Sequence, residues 1–184
     1  GHTLLISLPT GGGKSLVTQL LASVSEALTV VIVPTIALAL DQYHAARHNL
    51  TDGAEIYCYR GELSEIERST IIKALKDKKA RILFTSPEAI LKNPELRRIL
   101  DAAAENHYLA NVVVDEAHVV PDWGVFFRPD FQIFSIVLKK WKRESDEFIR
   151  TFLLSATLSD DVVDTLFALF GSEGKNAQVR CDAL

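Results

Sequence analysis

The segment from Thr3 to Ser15 constrains the fold more than any other. An apolar, strand-like run, Thr3 to Leu8, feeds the turn Pro9-Thr10-Gly11-Gly12-Gly13, which ends in Lys14-Ser15 and opens a helical pattern reaching Ala27. Strand, glycine turn, lysine, hydroxyl and helix in that order make a phosphate-binding loop. Glycines let successive backbone N–H groups turn inward with no Cβ in the way. The helix behind them offers its N-terminal dipole and unpaired N–H groups to an anion. On this reading Thr10, Gly11, Gly12, Gly13, Lys14 and Ser15 hold the phosphates of a nucleotide. Lys14 supplies a point charge to the β- and γ-phosphates, and Ser15 a hydroxyl to Mg²⁺. One position departs from the general pattern: the glycine expected five residues before Gly13 is Leu8.

The rest of the chain repeats the same alternation. Strand candidates are Thr3–Leu8, Thr29–Val33, Glu55–Tyr59, Arg81–Thr85, Asn111–Asp115 and Thr151–Ser155, with a weaker one at Ala177–Cys181. Between them run helical patterns at Lys14–Ala27, Ile36–Asn49, Ser64–Lys76, Pro94–Ala104, Asp130–Glu144 and Asp160–Phe170. Val30-Val31-Ile32-Val33 and Val112-Val113-Val114 are apolar without alternation, as strands buried on both faces of a parallel sheet are. The expectation is an α/β fold with a doubly wound, mostly parallel sheet and helices on both faces. Ligands bind such sheets at the carboxyl ends of the strands.

A second chemical signal stands at one of those ends. The apolar strand before Asp115-Glu116-Ala117-His118 delivers two adjacent carboxylates. Neighbouring carboxylates repel, so their pairing implies a cation or a proton-transfer role. Asp115 is placed to hold Mg²⁺, directly or through water. Glu116 is placed to orient and deprotonate an attacking water.

Composition sets bounds on the rest. At 184 residues the chain suits one domain and needs no disulfide staples. Its two cysteines, Cys58 and Cys181, are too few and too far apart for a zinc site, and fit reduced thiols in a cytoplasmic protein. No apolar run is long enough for a bilayer. The net charge of −4 argues against strong non-specific DNA binding by the whole surface, while leaving room for a local groove. The basic runs Lys73 to Arg81, Arg97-Arg98 and Lys139 to Arg143 read as solvated helix ends.

Together these motifs resemble superfamily 2 helicases. Asp115-Glu116-Ala117-His118 looks like their motif II. Val33-Pro34-Thr35 with Leu38, Asp41 and Gln42 looks like motif Ia. Thr85-Ser86-Pro87-Glu88 looks like motif Ib, and Ser155-Ala156-Thr157 like motif III. Within that superfamily the chain is most similar to RecQ-type DNA helicases. The resemblance is carried by the Pro9-to-Ser15 form of the phosphate loop, Pro34 through Gln42, and the run Trp123-Gly124-Val125-Phe126-Phe127-Arg128-Pro129-Asp130-Phe131. The last resembles the RecQ aromatic-rich loop, which couples single-stranded DNA contact to ATP hydrolysis. Two departures stand out. Val125-Phe126 replaces the His-Asp of RecQ proteins, and Ser-Ala-Thr is closer to the wider superfamily.

The aromatic run also has a direct physical reading. Trp123, Phe126 and Phe127 with Arg128 put three stacking faces and a guanidinium in one segment, and base stacking is worth about 1–3 kcal/mol per base.

The resemblance implies the first RecA-like domain of a motor, spanning residues 1–184, with ATP and Mg²⁺ as cofactors. It implies single-stranded or partly duplex DNA as partner, and a cytoplasmic, bacterial setting. It assigns Lys14 and Glu116 to catalysis and Ser15 and Asp115 to the metal. Thr85, Ser86, His118, Trp123, Phe126, Phe127, Arg128, Ser155 and Thr157 fall to nucleic-acid contact or coupling. A second RecA-like domain, which supplies arginine fingers, is not legible after Ser155. Two alternatives stay open: an RNA helicase domain, and a nucleotide-dependent switch or scaffold without unwinding.

Overall fold

The apolar runs become the strands of one sheet. The structure, a computed structural model, describes residues 1–9, 11–50, 55–120, 129–156, 158–172 and 174–180. The strands are β1 (Thr3–Ser7), β2 (Leu28–Ile32), β3 (Glu55–Cys58), β4 (Ala80–Thr85), β5 (Leu109–Val114), β6 (Arg150–Ser155) and β7 (Asn176–Arg180). The helices are α1 (Lys14–Val24), α2 (Ile36–Asn49), α3 (Glu65–Lys76), α4 (Pro87–Lys92), α5 (Pro94–Glu105), α6 (Pro129–Glu144) and α7 (Asp160–Phe170). Strand order is β3-β4-β2-β5-β6-β1-β7, and each pairing is parallel.

Helices cover both faces, as the alternation implies. On one face Ala22 of α1 and Ala39 and Ala46 of α2 pack against Val31, Phe84 and Val113. On the other, Ile72, Leu100, Phe134 and Leu166 of α3, α5, α6 and α7 pack against Leu5, Val30 and Val112. Every residue of β2 and β5 is buried, which explains their unbroken apolar sequence. Among the described residues, no helix is long and apolar enough to cross a membrane.

Three local features differ from the sequence expectation. First, α4 is a separate helix. Ser86 caps it by accepting from the Ala89 amide at 3.2 Å, and Pro87 occupies its first turn. Asn93 then caps α5 at once, accepting from the Leu96 amide at 2.9 Å. Second, α1 ends at Val24 rather than Ala27. Arg81 Nη1 donates to the Ala22 and Ser25 carbonyls at 3.2 Å each, which closes the helix there. Third, the basic run Lys139 to Arg143 is not uniformly solvated. Lys142 is 3% exposed and follows Phe131, Phe134 and Leu138 on the buried face of α6. Its ammonium donates to Thr3 Oγ1 (3.0 Å), the Phe170 carbonyl (3.1 Å) and Ser172 Oγ (3.0 Å), which meets all three of its donors.

Candidate nucleotide site and the adjoining cavity

The order β5-β6-β1 brings three motif-bearing strand ends side by side. Ser7 registers with Ser155, and the Leu8 amide donates to the Ser155 carbonyl at 3.0 Å. The Asp115 amide donates to the Ile32 carbonyl at 2.9 Å, which ties motif II to the end of β2. The phosphate loop, the carboxylate pair and motif III thus share one edge although they lie far apart in the chain.

The loop has the geometry that its glycines allow. Gly11 and Gly13 take φ of +80° and +89°, where a side chain would be strained. A Cβ on Gly12 would stand 2.8 Å from the Pro9 carbonyl oxygen. Gly13 is the N-cap of α1, no side chain caps that helix, and its first turn carries no acid. Ser15 is exposed beside the loop. A helix start without a cap or acidic neighbour is suited to an anion.

Lys14 reaches across to motif II. Its Nζ donates to Glu116 Oε1 at 2.8 Å, and both side chains are mostly buried. Glu116 adopts φ +48°, ψ 45°, a left-handed conformation that costs a non-glycine residue roughly 1 kcal/mol or more. That backbone turns its carboxylate toward Lys14. The other oxygen, Oε2, lies 3.3 Å from His118 Nδ1, which is also 3.1 Å from Ser155 Oγ. A carboxylate only accepts, so the proton of this contact belongs on Nδ1, with the Ser155 oxygen beside it. Ser155 itself is fully buried.

Asp115 is 4% exposed. Its Oδ2 accepts a hydrogen bond from Gln42 Nε2 of α2. Its Oδ1 is buried with no partner among the described residues. Burial raises the carboxyl above the ordinary aspartate value, and the nearby Glu116 charge adds to this. Gln42, the Glu116 amide and Lys14 work the other way. A buried carboxylate oxygen without a partner among the described residues fits a hard divalent cation, whose ligands are oxygens.

A second feature lies at the ends of β2, β3 and β4. A cavity of about 610 Å³ opens between Thr35 and Ile36, Arg60 and Gly61, Ser86, and Arg68 and Lys92. Among the described residues, Arg60, Arg68 and Lys92 make no ion pair, and Arg68 Nε is buried without a partner. Thr85 lines a small adjoining pocket of about 30 Å³ that shares Thr35, Arg60 and Ser86 with the cavity. Thr85 is 1% exposed with Oγ1 unpartnered among the described residues, while Ser86 Oγ is engaged in capping α4. The hydroxyls of motifs Ia and Ib therefore meet here with Arg60, Arg68 and Lys92, which are unpaired among the described residues, and with the Glu88 carboxylate. Sequence reading passed over Arg60 and Arg68. The available signal was Arg60-Gly61 directly after an apolar strand, at the same sheet edge as the other motifs.

Thr10, Trp123, Phe126, Phe127, Arg128 and Thr157 lie outside the described residues. Phe131, which closes the aromatic run, is a core residue at 2% exposure. Tyr59 is likewise buried, its hydroxyl accepting from Asn93 Nδ2 at 2.7 Å.

Comparison with known proteins adds to this geometry. Residues 1–166 match the DEAD/DEAH box helicases. The chain is 33% identical over 177 residues to the ATP-dependent DNA helicase hus2/rqh1 of Schizosaccharomyces pombe, covering 90% of this chain and 13% of that protein. It is 35% identical over 128 residues to the ATP-dependent DNA helicase RecQ of a Synechocystis species, covering 70% of this chain and 26% of that one. The chain thus spans about a quarter or less of these relatives. Among solved structures, the DUF1998 helicase MrfA bound to DNA superposes with a TM-score of 0.72 at 22% identity. That match covers 99% of this chain and 25% of MrfA.

Proposed function

The chain belongs to the DEAD/DEAH box helicase family, and from that premise we propose that it is the ATP-holding half of a DNA-dependent motor. The observation that carries the reading is the contact of Lys14 with Glu116 beside the orphaned Asp115 oxygen. On this reading Lys14 would serve the phosphates, Glu116 would be the general base and Asp115 a metal carboxylate, the three elements of a phosphoryl-transfer site.

The loop amides and the start of α1 would bind the phosphates of ATP. Lys14 would exchange Glu116 for the γ-phosphate, which frees the carboxylate. Glu116, with Oε2 held toward His118, would then orient the attacking water and accept its proton. Ser15 and Asp115 would hold Mg²⁺, which when bound neutralises charge on the β- and γ-phosphate oxygens. A second RecA-like domain would face the loop and bring an arginine finger, worth about 10³–10⁵ in rate.

Nucleic acid would run along the cavity of Thr35, Arg60, Ser86 and Lys92, where backbone phosphates meet unpaired cations. The aromatic run 123–127 would add base stacking. The test is ATP turnover by the full-length protein alone, with single-stranded DNA and with single-stranded RNA. Stimulation by DNA well above RNA is expected. Equal or greater stimulation by RNA would make this an RNA motor, and turnover indifferent to both would make it a nucleotide switch.

A further inference from the structure

Gln42 is a half-buried α2 residue to which motif reading gives no chemistry. Its side chain nevertheless donates to Asp115 Oδ2, joining residues 73 positions apart. One oxygen of Asp115 is thereby fixed and the other, buried and unpartnered, is left for a cation. A buried carboxylate with one oxygen unengaged would otherwise rotate toward whatever donor it found. The amide of Gln42 removes that freedom.

The same helix reaches the cation-lined cavity. The start of α2, at Thr35 and Ile36, forms one wall of the space that Arg60, Arg68 and Lys92 line. Thr35 Oγ1 caps the helix by accepting from the Leu38 amide at 3.3 Å, so wall and helix move as a unit. The buried residues of α2 are Ala39 and Ala46, and Leu38, Leu40 and Tyr43 pack partly buried against the same core. Small sliding of a helix packed on a sheet is the usual shear motion of such layers. Gln42 lies two turns from the wall and carries any such shift to Asp115.

We propose that Gln42 is a positioning residue that sets Asp115 for the divalent cation and links the nucleic-acid cavity to the metal through α2. This rests on the reading of the cavity as a DNA track. It makes occupancy of the two sites reciprocal, since a shift that favours one ligand favours the other equally.

The test uses the full-length protein with Gln42→Ala and Gln42→Glu. Alanine is the stronger helix former, and glutamate keeps the length while losing the donor. Mn²⁺ affinity in the ADP complex is read by electron paramagnetic resonance. Binding of a fluorescent ATP analogue is read with and without a single-stranded oligonucleotide. Loss of a side chain that orients a metal ligand typically costs about 10–100-fold in metal affinity. Both variants should lose about tenfold in Mn²⁺ affinity and keep metal-free ADP affinity within about twofold. The DNA-dependent gain in analogue affinity should fall toward none. Mn²⁺ affinity unchanged in both variants would overturn the positioning role. A loss of Mn²⁺ affinity with an undiminished DNA effect would overturn the link. If DNA has no effect on analogue binding in the parent protein, the DNA reading fails and the link with it, leaving Mn²⁺ affinity to judge the carboxylate alone.

Discussion

Replacing Glu116 by glutamine separates two jobs that the carboxylate performs in turn. Without nucleotide it neutralises Lys14 at 2.8 Å, with the side chains 12% and 26% exposed. In the proposed mechanism it takes the proton of water during turnover. A hydrogen bond between charged groups contributes about 1.5–3 kcal/mol net, and a neutral acceptor retains about half of that. Glu116→Gln therefore removes about 1 kcal/mol of competition for Lys14. Since 1.4 kcal/mol is tenfold, nucleotide should bind roughly fivefold tighter. Hydrolysis should fall by about 10²–10⁴, the usual contribution of a general base. Titration with a fluorescent ATP analogue and single-turnover phosphate release in the full-length protein measure the two effects separately. Nucleotide affinity weakened tenfold would mean that Glu116 supports the loop or the metal instead. Turnover within tenfold of the parent would remove it as the base.

Two further outcomes follow from side chains away from the loop. Arg60→Ala and Arg68→Ala should each weaken single-stranded DNA binding and lower the salt slope by about one phosphate contact, with nucleotide affinity unchanged; a slope equal to the parent's would clear both residues of phosphate contact. Burial lowers the Lys142 ammonium from 10.5 to about 8. At neutral pH the folded and unfolded chains both carry that proton, and the folded one bears a desolvation penalty of about 3 kcal/mol. Between pH 8 and about 10 the unfolded chain keeps the proton while the folded chain has lost it, so stability should rise through that window. Above it, the raised values of Tyr57 and Tyr108 reverse the trend, because the unfolded tyrosines ionise first. Thermal melts of the chain and of Lys142→Met from pH 7 to 10 check this, and a flat or falling profile for the parent would contradict it.

The parts legible in the sequence are those written in local pattern. Unbroken valine runs gave β2 and β5 because both of their faces are covered. The glycines and Lys14-Ser15 gave the loop because positive φ and an uncapped helix start demand those residues. What stayed hidden depends on long-range placement. No local signal tells that β6 lies between β5 and β1, and it is that placement which brings Ser155 to His118. Arg60 and Arg68 looked like ordinary surface charges until the ends of β2, β3 and β4 brought them beside Thr35 and Ser86. Helix α4 was missed because six residues are too few for a period, although Ser86-Pro87-Glu88 is a proper start signal. Lys142 was grouped with solvated neighbours, yet its spacing from Phe131, Phe134 and Leu138 already put it on the inner face of α6.

In the proposed function these residues hold the nucleotide, while the group that makes hydrolysis fast is supplied from elsewhere in the protein. Turnover by the 184-residue chain alone, set against the same sequence within the full-length protein and with saturating single-stranded DNA, tests it most directly. The chain should bind Mg·ATP, hydrolyse it at least about 10³-fold more slowly than the full protein, and gain nothing from DNA. Robust, DNA-stimulated turnover by the chain alone would contradict it.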